Sequence, residues 1–367
     1  MQLTCARRAL ILGVLIGAGA LAPTHASAAV TLGNWDGAQQ RQVVKDGLMS
    51  VPGGSFQGAA PLTAAQANAA MVAVAAQVGG QSGQAGQSGQ AGQGGQGGAG
   101  SETVHTVQIS GGSVTVTRFD ALVVDQLGLA DVASHVQTVA AAAGLKPPAY
   151  FGTEVVARYL GLRYDHPSGT DQLELFPSDP ITRAEAAWSL AQVAGFGSWN
   201  VDGAREALTA FALPRMSSAQ KQALRIAVSR IGYPYVWAGE SDTVEPGSWM
   251  WGPQAHGGFD CSGFVWRVFK LSGLPSGNRI GGRTAAQMAQ EIPHRQRLRI
   301  NQLKPGDLLF FGTAHFNSTA TEQNVIHTGI YLGDNWVIHS SGQGVYVEPL
   351  KGSWLGDSFT WGRRVIS

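Results

Sequence analysis

Residues 257–269 read GGFDCSGFVWRVF, and the single cysteine in this stretch decides how the C-terminal part of the chain is interpreted. Cys261 follows Asp260, a residue type that caps helices, and the next apolar residues recur at helical spacing up to Gly273, a typical helix stop. The pattern predicts a helix with Cys261 on its first turn. The helix dipole favours thiolate over thiol there, although a structural cysteine on a helix face gives the same pattern.

The stretches after this helix are rich in branched and aromatic residues, which predicts strands. Gly333, Asp334 and Asn335 form a turn signal, so the flanking stretches are expected to pair as a hairpin. Folding about that turn places His327 and His339 opposite or diagonal to each other on adjacent strands. A thiol at a helix start and two paired imidazoles match a nucleophile, a base and a residue that orients the base.

Four motifs follow one another in the order YPYVWAG, FDCSGFVW, LKPGDLLFF and HTGIYLGDNWVIHS. In order and spacing they resemble the NlpC/p60 cell-wall cysteine peptidases, and the resemblance covers residues 217–367. It implies an α+β, papain-like domain in which the cysteine helix packs on an antiparallel sheet. It also implies that Cys261 is the nucleophile, that His327 is the base, that His339 orients this base and that Tyr235 lies beside the thiol.

Further residues near the thiol are predicted to bind the substrate or to stabilise the oxyanion. With Tyr235 they are Asp260, Ser262, Trp249 and Trp251. The backbone amide of Cys261, at the helix start, is a further oxyanion donor. The chemistry requires no metal and no other cofactor. A zinc site built from Cys261, His327 and His339 is the alternative, and metal analysis would separate the two.

The chain departs from the family pattern in two places. The usual paired glycines after the tryptophan are Ala238 and Gly239, a change that affects the backbone near the cleft. A long connection, residues 240–258, precedes the nucleophile and carries Trp249 and Trp251. This loop either lines the cleft and narrows the range of substrates or only packs onto the domain.

The resemblance implies that the substrate is the stem peptide of peptidoglycan, cut between D-glutamate or D-isoglutamine and the diamino acid. The same thiol chemistry also suits an amidase or an acyltransferase. A wall-binding protein with an inactive C-terminal domain is a further alternative. The net charge of +1 argues against a nucleic-acid partner, which requires a basic face.

The first 28 residues have the pattern of a secretory signal peptide, with a basic start, an apolar run and small residues near Ala28. A retained membrane anchor is the alternative, but the apolar run 9–22 is short for a span, so no membrane span is expected after cleavage. Cleavage would remove Cys5, one of two cysteines, and leave Cys261 without an intramolecular disulfide partner. A secreted or wall-associated protein is therefore expected.

Three segments in the N-terminal half are alike, namely 61–79, 114–129 and 179–197, which indicates an internal repeat. Each contains a threonine that can cap a helix, followed three positions later by a polar or acidic residue. The pairs are Thr63 with Gln66, Thr117 with Asp120, and Thr182 with Glu185, and the first and third fit the helical capping box. Each unit is therefore predicted to be one or two helices plus a loop.

The stretch DPITRAEAA, 179–187, resembles S-layer homology repeats. The resemblance implies a mostly α-helical domain over residues 30–200 that binds secondary polymers of the cell wall. A helical prodomain or spacer with ordinary capping signals is the alternative. Residues 79–104, rich in Gly and Gln, are predicted to be a flexible insert because they carry too little apolar surface to fold.

Overall fold

The computed structural model describes residues 33–84, 108–245 and 253–366. The predicted signal peptide, 1–28, and the loop residues Trp249 and Trp251 lie outside the described residues. So does the greater part of the insert predicted at 79–104, although the helix before it continues to Gln84.

The N-terminal half is helical. Its α-helices are α1 (Gly37–Lys45), α2 (Ala64–Gln84), α3 (Val116–Gln126), α4 (Ala130–Ala142), α5 (Phe151–Tyr159), α6 (Arg183–Ala194) and α7 (Ser198–Thr209). Two single-turn 3-10 helices lie between them, at Pro52–Gly54 and Asp171–Leu173. Alanine and branched apolar residues at helical spacing give these helices their buried faces, which pack on one another.

The three segments that are alike in sequence meet at the starts of α2, α3 and α6. The Leu62 N–H donates to the Ile181 carbonyl, the Ile181 N–H to Val114, and the Val114 N–H to Leu62, at 2.8–2.9 Å. This closed ring satisfies backbone groups that precede each helix and would otherwise be buried without partners. The three segments therefore also share one structural role.

The first and third helices of this set begin at the threonines predicted to cap them. Thr63 and Gln66 form a reciprocal capping box, with bonds of 3.2 and 3.0 Å. Thr182 accepts the N–H of Glu185 at 3.1 Å. The Glu185 carboxylate instead contacts His166 Nε2 at 2.6 Å, so the third repeat uses its acidic residue in a tertiary contact.

The middle helix, α3, begins two residues earlier than predicted. Thr115, rather than Thr117, is its N-cap and accepts the N–H of Arg118 at 3.3 Å. Val114 is held in the hydrogen-bonded ring, so the chain turns into the helix at the next residue. The assignment of Thr117 as the cap is therefore wrong, because the ring sets where the helix starts.

The C-terminal half combines helices with an antiparallel sheet. Its α-helices are α8 (Ser218–Val228), α9 (Cys261–Trp266), α10 (Ala285–Gln290) and α11 (Trp354–Ser358). Its strands are β1 (Glu240–Ser241), β2 (Gly258–Phe259), β3 (Leu308–Gly312), β4 (Val325–Gly333), β5 (Trp336–Ser341), β6 (Gly344–Pro349) and β7 (Phe359–Arg363). A π-helical turn, Arg267–Leu271, continues α9, and 3-10 helices lie at Pro275–Arg279, His294–Gln296 and Ile300–Gln302.

The main sheet has five strands in the order β6-β5-β4-β3-β7, and every neighbouring pair is antiparallel. Helix α9 packs against β4 and β5, with Phe264 and Val265 fully buried beneath it. The C-terminal half is therefore α+β, with the cysteine helix on an antiparallel sheet, as the sequence predicts.

The helical half contacts the edge strand β6 through α5. The guanidinium of Arg158 forms an ion pair with Glu154 at 3.0 Å, and it donates to the carbonyls of Gly232, at 2.8 Å, and Gln343. Buried apolar residues continue from these helices into the sheet as one core. This contact fixes part of the helical half beside the candidate site.

Across the three described ranges, we find no helix with the length and apolar character that a membrane span requires.

Candidate active site

Cys261 is the first residue of α9, where the sequence predicts it. The Asp260 carboxylate accepts the N–H of Gly263 and caps the helix. The helical path ends at Gly273, whose φ of +67° lies in the left-handed region that glycine adopts without strain. Cap and stop therefore hold the cysteine at a helix start that faces the sheet.

The Cys261 thiol is partly buried and receives the backbone N–H groups of Thr328 and Ser262. Burial raises the pKa of this thiol to about 12, and the neighbouring Asp260 carboxylate acts in the same direction. The helix-start amides and Arg283 act against this rise without overcoming it. The expectation that the helix dipole favours the thiolate stays a prediction, because burial raises the pKa of this thiol while the helix-start amides lower it.

His327 and His339 form a hydrogen-bonded pair. Ile330 pairs with Ile338 in the β4–β5 hairpin, so His339 lies opposite Gly329 and His327 lies on the adjacent diagonal. His327 Nε2 and His339 Nδ1 are 2.8 Å apart. Both rings are buried, and burial together with the second imidazole lowers the pKa of His327 well below its ordinary value. The hairpin therefore holds the two imidazoles in hydrogen-bond contact, and burial favours the neutral form of His327.

The thiol lies against strand β4, next to the residue that begins the histidine pair. Thr328, which donates its N–H to the Cys261 sulfur, directly follows His327. No direct hydrogen bond joins Cys261 to His327 within the ranges that the structure describes. Such bonds are often long in sites without substrate and shorten when substrate binds.

Tyr235 lies beside the thiol. A β-bridge joins it to Phe259, two residues before the cysteine. Burial raises the pKa of the Tyr235 phenol, with further contributions from Cys261, Asp260 and Asp165. The phenol therefore stays protonated and is available as a hydrogen-bond donor near the sulfur.

The polar atoms of Asp260 and Ser262 belong to a network centred on Arg283. The Ser262 hydroxyl donates to Asp260 at 3.1 Å and accepts from Arg283 Nη1 at 2.8 Å. Arg283 also pairs with Glu240 and donates to the carbonyl of Ala238 at 3.1 Å. This network holds the helix cap against the segment after Tyr235, and sequence reasoning missed Arg283 because no motif marks it.

Ala238, one of the two departures from the family pattern, has a φ of +59°. A side chain at that angle is strained, which is why glycine is usual in such a position. The contacts of Trp249 and Trp251, the two loop residues predicted to bind substrate, lie outside the described residues. The two ends of this loop pack onto the domain, since Glu240 pairs with Arg283 and Asp242 pairs with Arg267, and the prediction for the two tryptophans stays a prediction.

A carboxylate that the sequence analysis missed lies behind the histidine pair. Glu348 Oε1 is 2.9 Å from His339 Nε2, and it also accepts from the Tyr346 hydroxyl and the Trp354 indole N–H. The Trp354 ring lies 5.1 Å from the His327 ring, centroid to centroid. The alternation of apolar and polar residues in β6 is the one sequence signal that places Tyr346 and Glu348 on the same face.

Comparison with known proteins identifies the family of this part of the chain. The model of the NlpC/P60 family matches residues 232–364, the part of the chain that carries the thiol and the histidine pair. Residues 232–364 therefore form an NlpC/P60 family domain.

Curated relatives match the same part of the chain. A probable endopeptidase of Mycobacterium tuberculosis is 30% identical over 125 residues, which cover 34% of this chain and 24% of the relative. A gamma-D-glutamyl-L-lysine dipeptidyl-peptidase of Bacillus subtilis is 29% identical over 120 residues, covering 33% and 31% of the two chains. This chain thus spans about a quarter to a third of the length of these relatives.

Solved structures of the same family are also similar. The P60 domain of an antigen from M. avium subspecies paratuberculosis is 24% identical and has a TM-score of 0.29, with 41% of this chain and 96% of that chain covered. An NlpC/P60 family protein from Bacillus cereus is 22% identical, with a TM-score of 0.30 and 43% of each chain covered.

Proposed function

We propose that this protein is a cysteine peptidase that hydrolyses an amide bond in the stem peptide of peptidoglycan. The observation that carries the proposal is the 2.8 Å bond between His327 Nε2 and His339 Nδ1, next to a helix-start thiol. The bond leaves His327 Nδ1 as the nitrogen that exchanges a proton with Cys261. The names of the relatives, which include endopeptidases and dipeptidyl-peptidases, support the same reaction class.

The reaction begins with a neutral thiol and a neutral imidazole. Cys261 attacks the amide carbonyl as its proton passes to His327, and His339 accepts a hydrogen bond from the resulting imidazolium. The imidazolium then gives its proton to the leaving amine as the C–N bond breaks, leaving a thioester. Water, deprotonated by His327, hydrolyses the thioester and restores the thiol.

Two donors near the sulfur suit the oxyanion of this reaction. They are the backbone N–H of Cys261 at the start of α9 and the hydroxyl of Tyr235, which stays protonated. One such donor typically stabilises the transition state by ~3 kcal/mol.

The bond between D-glutamate or D-isoglutamine and the diamino acid is the proposed cleavage site. The test is mass spectrometry of fragments released when the full chain is incubated with purified wall, with Cys261→Ala as the matched control. New amino termini on the diamino acid support the proposal. Release of intact stem peptides from the glycan would instead identify an amidase, and no release by either protein would favour an inactive, wall-binding domain.

A narrower specificity, for peptides with a free amino terminus, is favoured by Asp165. This carboxylate comes from the helical half and lines, together with Tyr235, a cavity of about 370 Å³ that includes its open mouth. Its Oδ1 is buried and has no hydrogen-bond partner, and burial raises its pKa to about 6. A carboxylate oxygen without a partner, in a cavity that Tyr235 also lines, suits a substrate ammonium group.

A pair of peptides tests this specificity. A stem peptide with a free amino terminus should have a kcat/KM at least ~10² higher than the same peptide after N-acetylation. Asp165→Asn should reduce this ratio while retaining hydrolysis of the acetylated peptide. Equal rates for both peptides in the parental protein would show endopeptidase specificity instead.

The repeats at 61–79, 114–129 and 179–197 are proposed to bind secondary wall polymer, in a protein secreted through the predicted signal peptide 1–28. Support comes from the DPITRAEAA stretch and from the shared role of the three segments in one hydrogen-bonded ring. The full chain carrying Cys261→Ala should sediment with wall preparations, and removal of the secondary polymer from the wall should abolish this. Unchanged sedimentation would assign wall binding to the catalytic domain.

A further inference from the structure

A carboxylate completes a line of polar groups that starts at the thiol. His327 Nε2 lies 2.8 Å from His339 Nδ1, and His339 Nε2 lies 2.9 Å from Glu348 Oε1. The last contact is close but is not a hydrogen bond of good geometry, and it becomes an ion pair only when His339 is protonated. His339 is fully buried, and its Nε2 makes no hydrogen bond within the described residues. The Glu348 carboxylate is therefore the acidic group that this nitrogen faces there.

The surroundings hold the Glu348 carboxylate in place and keep water away. Tyr346 donates its hydroxyl at 3.1 Å, and Trp354 donates its indole N–H at 3.0 Å. The side chain of Glu348 is only 13% exposed. The Tyr346 ring packs on His339 at 4.4 Å between centroids, and Trp354 covers the outer side of both imidazoles. Two hydrogen bonds to Glu348 Oε1 and the packing of two aromatic rings thus hold this oxygen beside His339.

Donor and acceptor roles along this line follow from the carboxylate. An ionised carboxylate only accepts, so His339 must carry its proton on Nε2 and present Nδ1 as an acceptor. His327 must then carry its proton on Nε2, which leaves the lone pair of Nδ1 for the thiol proton. The opposite tautomers would place a proton on His327 Nδ1 and prevent it from acting as a base.

We propose that Glu348 is a positioning residue that sets the tautomers of His339 and His327 and stabilises the imidazolium formed on His327. The proposal rests on the proposed thiol chemistry of this site but not on the identity of the substrate. Cys261 and His327 on one side, and Glu348 and Tyr346 on the other, are the titratable groups that face the line. Glu348 acts through His339 and does not contact the reacting atoms.

Glu348→Gln is the sharpest variant because its amide oxygen still accepts from the same donors while the negative charge is lost. In the full chain, kcat for stem-peptide hydrolysis should fall about 10-fold to 100-fold, with KM within about threefold. The acidic limb of kcat/KM should move to lower pH, because a nearby anion raises the pKa of an imidazole and its removal lowers it. Glu348→Ala, which also removes the acceptor, should lower kcat further.

A second measurement does not depend on the substrate. Iodoacetamide labelling of Cys261, followed by peptide mass spectrometry, should be about tenfold slower at pH 7 in Glu348→Gln than in the parent. Glu206→Gln, which makes the same change at an exposed position of α7, is the matched control and should label at close to the parental rate.

The outcomes separate this proposal from the proposed function. If the parent fails to cleave stem peptides but Glu348→Gln still slows labelling, the substrate assignment falls and the positioning role stands. If Glu348→Gln and Glu348→Ala keep the parental acidic limb and labelling rate, or lose activity only in proportion to lost folded protein, Glu348 is structural and the proposal is overturned.

Discussion

Buried polar groups are arranged differently in the helical half and in the NlpC/P60 domain. In the helical half, Glu154 meets Arg158 at 3.0 Å, and the buried carboxylate of Asp120 meets Arg163. At the candidate site, Cys261 is partly buried and His327 is buried, and desolvation shifts the pKa of each towards its neutral form. Paired charges are costly to separate, whereas titratable groups that lack a charged partner and have a shifted pKa are available for proton transfer.

The largest expected effect comes from removing the thiol. Cys261→Ala should lower hydrolysis of stem peptides by at least ~10⁴-fold, because it removes the proposed nucleophile beside His327. Initial rates of peptide release, measured by mass spectrometry, check this. The thermal midpoint should stay within a few degrees of the parent, since the substitution removes one atom beside a well-packed helix. Near-parental release by the alanine variant would show that Cys261 is not the nucleophile.

The second prediction concerns the loss of a buried ion pair in the helical half. Arg158→Ala should reduce the free energy of unfolding by about 3–5 kcal/mol, because it leaves the Glu154 carboxylate and two carbonyls buried without their partner. Urea unfolding at pH 7 measures this. Arg205→Ala is the matched control, because its pair with Asp131 is 41% and 69% exposed, and it should change stability by about 0.5 kcal/mol or less. Equal losses in both variants would contradict the comparison.

The features that sequence analysis predicted well depend on local signals. A cap at Asp260 and a stop at Gly273 define the cysteine helix, and a turn signal at Asp334 defines the hairpin that joins His327 to His339. Each signal acts over a few residues, so its geometry follows from backbone and side-chain preferences alone. The α+β class follows from the same local patterns.

The features that were missed depend on tertiary contacts. Glu348, Arg283 and Asp165 each act on residues distant in the chain or on another strand. No motif marks them, and the alternation in β6 gives only the face on which Glu348 lies. The protonation of Cys261 was predicted from the helix start alone, whereas burial, a property of the whole fold, acts on the same pKa in the opposite direction. The cap of α3 is Thr115 and not the predicted Thr117 for the same reason, because the hydrogen-bonded ring of three segments sets where this helix starts.

The third prediction concerns the orienting imidazole. His339→Ala should lower kcat by ~10² or more with little change in KM, because the lost interaction matters chiefly when His327 is charged. His339→Asn and His339→Gln should retain more activity, since an amide carbonyl still accepts from the His327 N–H. Steady-state kinetics on stem peptides separate kcat from KM.

A control is needed because His339 is fully buried and its truncation also leaves a cavity. Ile338→Ala removes a fully buried side chain from the adjacent position of β5, whose side chain points to the other face of the sheet. It should lower stability while leaving kcat of the folded protein near the parental value. If all the His339 variants lose activity only as Ile338→Ala does, His339 is structural.

The smallest expected effect concerns a buried carboxyl of the helical half that has no cationic partner. Asp36 is 2% exposed, accepts from Gln40 through one oxygen and has no partner for the other, and burial raises its pKa to about 6. Between pH 4 and pH 6 the folded protein keeps a proton on Asp36 that the unfolded chain has lost. The contribution of this carboxyl to the free energy of unfolding therefore falls as pH rises through this window and levels off above it.

In Asp36→Asn, the decrease in the free energy of unfolding between pH 4 and pH 6 should be smaller than in the parent by about 1–2 kcal/mol, as measured by urea unfolding at several pH values. Asp46→Asn makes the same change at an exposed position and should leave the slope as in the parent. A slope unaffected by Asp36→Asn would mean that the carboxyl is ionised in the folded protein, and the contrast between paired and unpaired buried groups would then not extend to the helical half.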